Sequence, residues 1–141
     1  MRETLSSFTV EGQQSSIVFI TSVNVTTGVR CDVYEILGDP TKDVGKIYID
    51  PNCRTPLQKV LNGDRTIEGH ISGQGSLTII KPDGEKDVYS VAEQGCGFSQ
   101  EVKVGELMQW RADLDSELVV CEICYPPYQD GRYENIPENR V

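Results

Sequence analysis

Thr55-Pro56-Leu57-Gln58-Lys59-Val60 and, one short loop later, Gly69-His70-Ile71-Ser72-Gly73-Gln74-Gly75 decide how this chain is read. The first stretch follows Lys46-Ile47-Tyr48-Ile49-Asp50 and the turn residues Asp50-Pro51-Asn52. Alternating polar and apolar residues have the period of a half-buried strand. The second stretch continues a strand from Thr66 to Ser72 and ends in closely spaced glycines. Gly69, Gly73 and Gly75 lack the following helix that a phosphate cradle needs. They read instead as tight turns and close strand approach.

Outward from these stretches, short β-type runs follow one another. They include Ser16–Ile20, Asp32–Leu37, Ser76–Ile80, Asp87–Val91, Phe98–Val104 and Leu118–Cys124, the last being the most apolar. Gly38-Asp39-Pro40, Asn62-Gly63-Asp64, Pro82-Asp83-Gly84 and Gly95-Cys96-Gly97 punctuate them as turns. No segment has a helical period of useful length. Many short strands with regular turns predict an all-β sandwich or barrel. The polar residues 1–15 are expected to be flexible or exchanged with a neighbour, and 16–128 to form the barrel. Pro126 and Pro127 exclude a central strand, so 129–141 is expected as an extended tail on the body.

At 141 residues the chain is long enough for one domain with a real core. Its net charge is −9, divided unevenly: 7 basic and 9 acidic groups in residues 1–70, 6 and 13 in 71–141. Such a balance repels phosphate backbones and anionic lipid, so neither nucleic acid nor membrane is an expected partner. No apolar run approaches the ~20 residues of a membrane helix. Met1-Arg2-Glu3-Thr4-Leu5 lacks a secretory pattern, so a cytoplasmic location is expected. The five cysteines are then expected to be thiols. Cys121 and Cys124 spell Cys-x-x-Cys, but on a strand residues three apart point to opposite faces. They are expected to be core thiols without a mutual disulfide.

The run Gly45–Leu57, the strand ending in Ser72-Gly73-Gln74-Gly75, and Val104-Gly105-Glu106-Leu107-Met108-Gln109-Trp110 together resemble the two signatures of the cupin family. Residues 45–128 carry the resemblance. It implies a single-domain jelly roll, which in that family usually holds a metal on a His-x-His pair, a Glu and a later His. Carried over, those positions are Gln58, Val60, Asp64 or Arg65, and Met108. A valine cannot coordinate a metal, and a thioether suits iron, manganese or zinc poorly. With one histidine in the chain, no metal and no other cofactor is expected.

His70 and Glu68 lie two apart on one strand face with Thr66 and Ser72. If that face looks inward, Gln58, Glu68 and His70 share a polar pocket, and a His beside a carboxylate is an acid/base candidate. A histidine turned outward, or buried and satisfied by one hydrogen bond, is the alternative. Arg54, Gln58, Met108 and Trp110 are candidates to line the barrel with His70 around one small organic ligand, or simply to pack its core. Two functions follow. One is a cupin-like barrel that binds a small molecule or partner. The other is a metal-independent isomerase or lyase using His70 and Glu68. The apolar strand Ser16–Ile20 sits early enough to reach a neighbouring copy, so a homodimer is expected.

Overall fold

The computed structural model describes residues 5–10, 13–61, 63, 65–95, 98–125 and 133–137. Within them lie twelve strands and one helical turn. The strands are β1 (Leu5–Val10), β2 (Gln13–Thr26), β3 (Val29–Ile36), β4 (Asp39–Ile49), β5 (Gln58–Val60) and β6 (Arg65–Gly73). They continue as β7 (Gly75–Ile80), β8 (Lys86–Ser90), β9 (Ser99–Val102), β10 (Leu107–Ala112), β11 (Leu118–Tyr125) and β12 (Tyr133–Asn135), with α1 at Val91–Gln94. None of the described helices is long and apolar enough to cross a membrane.

Two antiparallel sheets face each other. One has the order β1-β2-β3-β4-β11-β6-β9, the other β12-β5-β10-β7-β8. Val29, Ile47, Ile49, Leu118 and Val120 of the first meet Val60, Leu77, Ile79, Met108 and Trp110 of the second in one core cluster. This is an all-β jelly roll. The apolar character of β11 has a simple cause: the strand is buried on both faces. Leu118 and Val120 point into the barrel core, while Cys121, Ile123 and Tyr125 join Ile17, Ile36 and Val44 in a second cluster on the other face.

Two glycines let the chain cross from one sheet to the other after β6. Gly73 has φ +83°, and a Cβ there would lie 1.8 Å from the Glu117 carbonyl oxygen. A Cβ on Gly75 would lie 2.2 Å from the Arg111 carbonyl oxygen. Only a residue without a side chain fits either place. The Pro82-Asp83-Gly84 turn forms as its composition predicts: Asp83 Oδ1 accepts from the Glu85 amide at 2.9 Å.

Several elements differ from the sequence reading. β2 runs to Thr26 because two register shifts, at Phe19/Thr21 and Asn24/Thr26, let it keep pairing with β3. Residues 5–10 pair with β2 of the same chain. Pro40 lies in β4, not in a turn. It falls where Ile36 pairs with Asp39 while Glu35 pairs with Asp43, so the intervening residues need no ladder hydrogen bond. α1 is a single helical turn where none was expected. In the tail, β12 pairs with β5 at a sheet edge, and the Ile136 amide donates to Leu57 O at 2.8 Å.

Candidate functional site

The four positions that the metal of the resembled family would occupy do not form a donor set. Val60 is 0% exposed and Met108 4%, both inside the packed core. Gln58 is half-buried and gives its amide to Asn135 Oδ1 at 3.1 Å. Asp64 lies outside the described residues. Arg65 is stacked over the Tyr125 ring, 4.2 Å from its centroid, on the face of the sheet that carries the second cluster. Among the described residues no group of three His, Cys, Asp or Glu side chains is placed to hold a metal ion. These residues do not fit the metal.

Strand phase places the polar residues of β6. Thr66, Glu68 and His70 stand opposite Cys124, Glu122 and Val120, the inward positions of β11. A bulge follows at Ile71, so Ser72 pairs with outward-facing Val119 and leaves that face. Glu68 is 1% exposed. Its Oε1 accepts a hydrogen bond from Trp110 Nε1 at 2.7 Å, and its Oε2 is buried with no hydrogen-bond partner. His70 is half-buried, and its Nε2 donates to Gly73 O at 2.8 Å, closing the turn after β6. Glu68 and His70 therefore share a face, but their hydrogen bonds go to different partners.

A cavity of about 660 Å³ opens between the sheets. Its walls come from alternate residues of the larger sheet: Thr21, Val23 and Val25 of β2, Val29, Cys31 and Val33 of β3, and Asp43, Gly45 and Ile47 of β4. Glu122 and Cys124 of β11 border it, and Gln58, Tyr133 and Asn135 face them from the smaller sheet. Of the residues expected to line the barrel, Gln58 borders this space. Met108 and Trp110 belong to the packed core, and Arg54 is exposed, bridged to Arg111.

Glu122, Cys124 and Tyr133 were missed by the sequence reading. For Glu122 a signal existed: the two-residue period of β11 puts it on the same face as Leu118 and Val120. Tyr133 left no such signal, because it reaches the site from the tail. Its hydroxyl lies 3.2 Å from Thr66 Oγ1 and 3.2 Å from Cys124 Sγ. Cys124 Sγ lies 3.9 Å from Glu122 Oε1, within the longer reach of a thiol donor.

Electrostatics in this pocket favour protons over charge. Burial, then the neighbouring Glu122 charge, pushes Glu68 well above the usual carboxyl range, against the opposing Trp110 bond. Burial followed by Glu122 drives the Tyr133 hydroxyl upward as well. The Cys31 thiol is pushed up to about 12 by burial and then by Glu122. Cys121, on the far side of the sheet, reaches about 12 through burial and then Glu68. This end of the pocket therefore favours the protonated form of Glu68, and the Cys31 and Cys121 thiols are not nucleophiles.

No protein-family model matches the chain, and no curated protein matches it in sequence. Among solved structures, a cupin-2 domain protein from Rhodospirillum rubrum superposes with a TM-score of 0.65 at 12% identity, over 99% of this chain and 85% of that one. The fold is cupin-like. An oxalate decarboxylase superposes on this cupin-like barrel with a TM-score of 0.68 at 16% identity, over 86% of the chain and 33% of the enzyme. The capsular polysaccharide assembling protein CapF from Staphylococcus aureus does so with 0.64 at 11%, over 83% and 32%. The chain thus spans about a third of the length of these last two proteins. At such identities the likeness is one of fold.

Proposed function

We propose that this cupin-like barrel binds a small organic molecule between its sheets, without the metal usual to the resembled family. The cavity of about 660 Å³ carries the reading. It falls within the ~300–1,000 Å³ range of ligand sites, and like them it has apolar walls with a few convergent polar groups. Gly45 is a direct handle on it. A Cβ there would meet only Cys31 Sγ at 3.1 Å and the Glu122 carbonyl at 3.9 Å, so Gly45→Val should fill space without breaking a strand. Fragments found by ligand-observed NMR are expected to lose binding in that variant while its fold stays intact. Equal binding to wild type and variant, or no binders at all, would overturn the cavity reading. Stoichiometric iron, manganese or zinc in untagged protein would overturn its metal-free half.

A metal-independent isomerase or lyase is the second reading. The buried Glu68 favours it, because burial shifts its carboxyl toward the protonated form that a general acid uses. The neighbour of that acid on the cavity side is Glu122 rather than His70, so the acid/base pair to mutate is Glu68 with Glu122.

A further inference from the structure

We propose that Tyr133 sets how large a ligand the cavity accepts, because its ring closes the cavity on the side of β6. This rests on the cavity being a small-molecule site and names the residue that decides its selectivity.

Ladder register shows where the cavity stops. Two rows of inward positions run across the larger sheet. Asp43, Cys124 and Thr66 form one, and Gly45, Glu122 and Glu68 the next. In each row the members on β4 and β11 line the cavity. The members on β6, Thr66 and Glu68, do not, and both are fully buried. In both rows the space therefore ends between β11 and β6, and each row has an aromatic side chain at that end. Trp110 bonds to Glu68. The Tyr133 hydroxyl lies 3.2 Å from Thr66 Oγ1 and 3.2 Å from Cys124 Sγ.

The two aromatics are held differently. Trp110 sits in β10, paired with β7 over six positions, inside the packed core. Tyr133 comes from β12, three residues at the edge of the smaller sheet, where it stands opposite Val60. Its backbone belongs to one sheet and its hydroxyl reaches the inner face of the other, so the side chain crosses the gap between them. The ring packs against the core cluster and also lines the cavity, which makes it the wall between the two. Neither the ladder of β12 with β5 nor the Gln58–Asn135 bond uses that ring. Shortening the side chain would thus extend the cavity toward Thr66 while β12 keeps its main-chain attachment.

Selectivity follows from length. The wall ahead of Tyr133 is aliphatic at Val29, Val33 and Ile47, so a straight apolar ligand gains affinity with each methylene it buries. Once the ligand meets the ring, further methylenes find no space, and forcing them in strains the packing.

Linear primary alcohols from hexanol to decanol, titrated calorimetrically into the full chain, read this limit. In wild type the affinity is expected to rise by roughly fourfold per added methylene and then to stop rising within the series. Tyr133→Ala should move that break to a longer alcohol. Tyr133→Phe, which keeps the ring, should leave it in place. Trp110, the chain's single tryptophan, reports by its fluorescence whether each variant keeps the native interior, and Tyr133→Leu makes the same test if the alanine variant does not. A break at the same length in wild type and the folded alanine or leucine variant would overturn the assignment of Tyr133 and leave the cavity reading standing. So would a phenylalanine variant that shifts the break as far as alanine, or a wild-type affinity that climbs unbroken to decanol. If no alcohol binds while other fragments show Gly45→Val-sensitive binding, the role of Tyr133 again falls alone. If nothing binds at all, both fall.

Discussion

The two ends of the barrel interior are built from the same alternating strands and have opposite character. Around Trp110 the space is filled: Ile49, Leu77, Val102, Leu118 and Val120 are fully buried and pack in one cluster. Around Glu122 it is open: Val23 and Val25 line the cavity yet remain 47% and 38% exposed. The difference lies in what stands across. At the filled end, β7 and β10 run side by side over six paired positions and offer Leu77, Ile79, Met108 and Trp110. At the open end, among the described residues, β2, β3 and β4 face Thr55, Pro56 and the short strands β5 and β12, three residues each. A sheet face with too few partner side chains leaves a void, and here the void is edged by carboxyls and thiols. The Trp110–Glu68 hydrogen bond marks the boundary between the two ends.

The largest effect that tests this contrast should come from the filled end. Trp110→Ala is expected to cost about 3–5 kcal/mol in denaturant unfolding, as for other buried aromatics. Trp110→Phe keeps most of the volume but removes the donor to Glu68, and should cost about 1–3 kcal/mol. A loss below about 1 kcal/mol for the alanine variant would mean that the filled end is not the stabilising one.

Next comes the boundary, where the effect depends on pH. The folded-state pKa of Glu68 is raised, so the fold favours its protonated form. That contribution is complete below the ordinary glutamate value of ~4.3 and is lost as pH rises through the raised value. Stability should fall with rising pH in that window by at most about 1.4 kcal/mol per pH unit. Glu68→Gln should flatten this slope. Unfolding free energies from pH 4 to 9 that give wild type and Glu68→Gln the same slope would refute the assignment of the proton to Glu68.

The smallest effect belongs to the open end. Val23→Ser removes an exposed apolar side chain from the cavity wall and should change stability by no more than about 0.5 kcal/mol. A larger cost would show that β2 is covered more fully in solution than its exposure indicates, and would weaken the contrast.

Much of this was legible in the chain because strand alternation is a local property. The runs around Lys46–Asp50, Ser76–Ile80 and Leu118–Cys124 all became strands. Residue spacing alone separated Cys121 from Cys124, and both are free thiols, on opposite faces of β11. Val60 and Met108 could be ruled out as metal donors from their chemistry. Other features depended on which strands became neighbours. The bulge after His70 arises in the pairing of β6 with β11. The bond of His70 to Gly73 needs that bulge's turn, and the bond of Glu68 to Trp110 joins residues 42 positions apart across the barrel.

By itself, then, the sequence determined the strands, the crossing at Gly73 and Gly75, and the absence of the resembled family's donors at Gln58, Val60 and Met108. These follow from side-chain period, backbone sterics and ligand chemistry, each read within a few residues. Tertiary structure alone decided that Glu68 answers to Trp110 and Glu122, that Tyr133 returns from the tail to the core, and that a cavity remains beside them. Those features depend on long-range pairing and on how much side-chain volume two sheets bring to the same space, which no local stretch of the chain encodes.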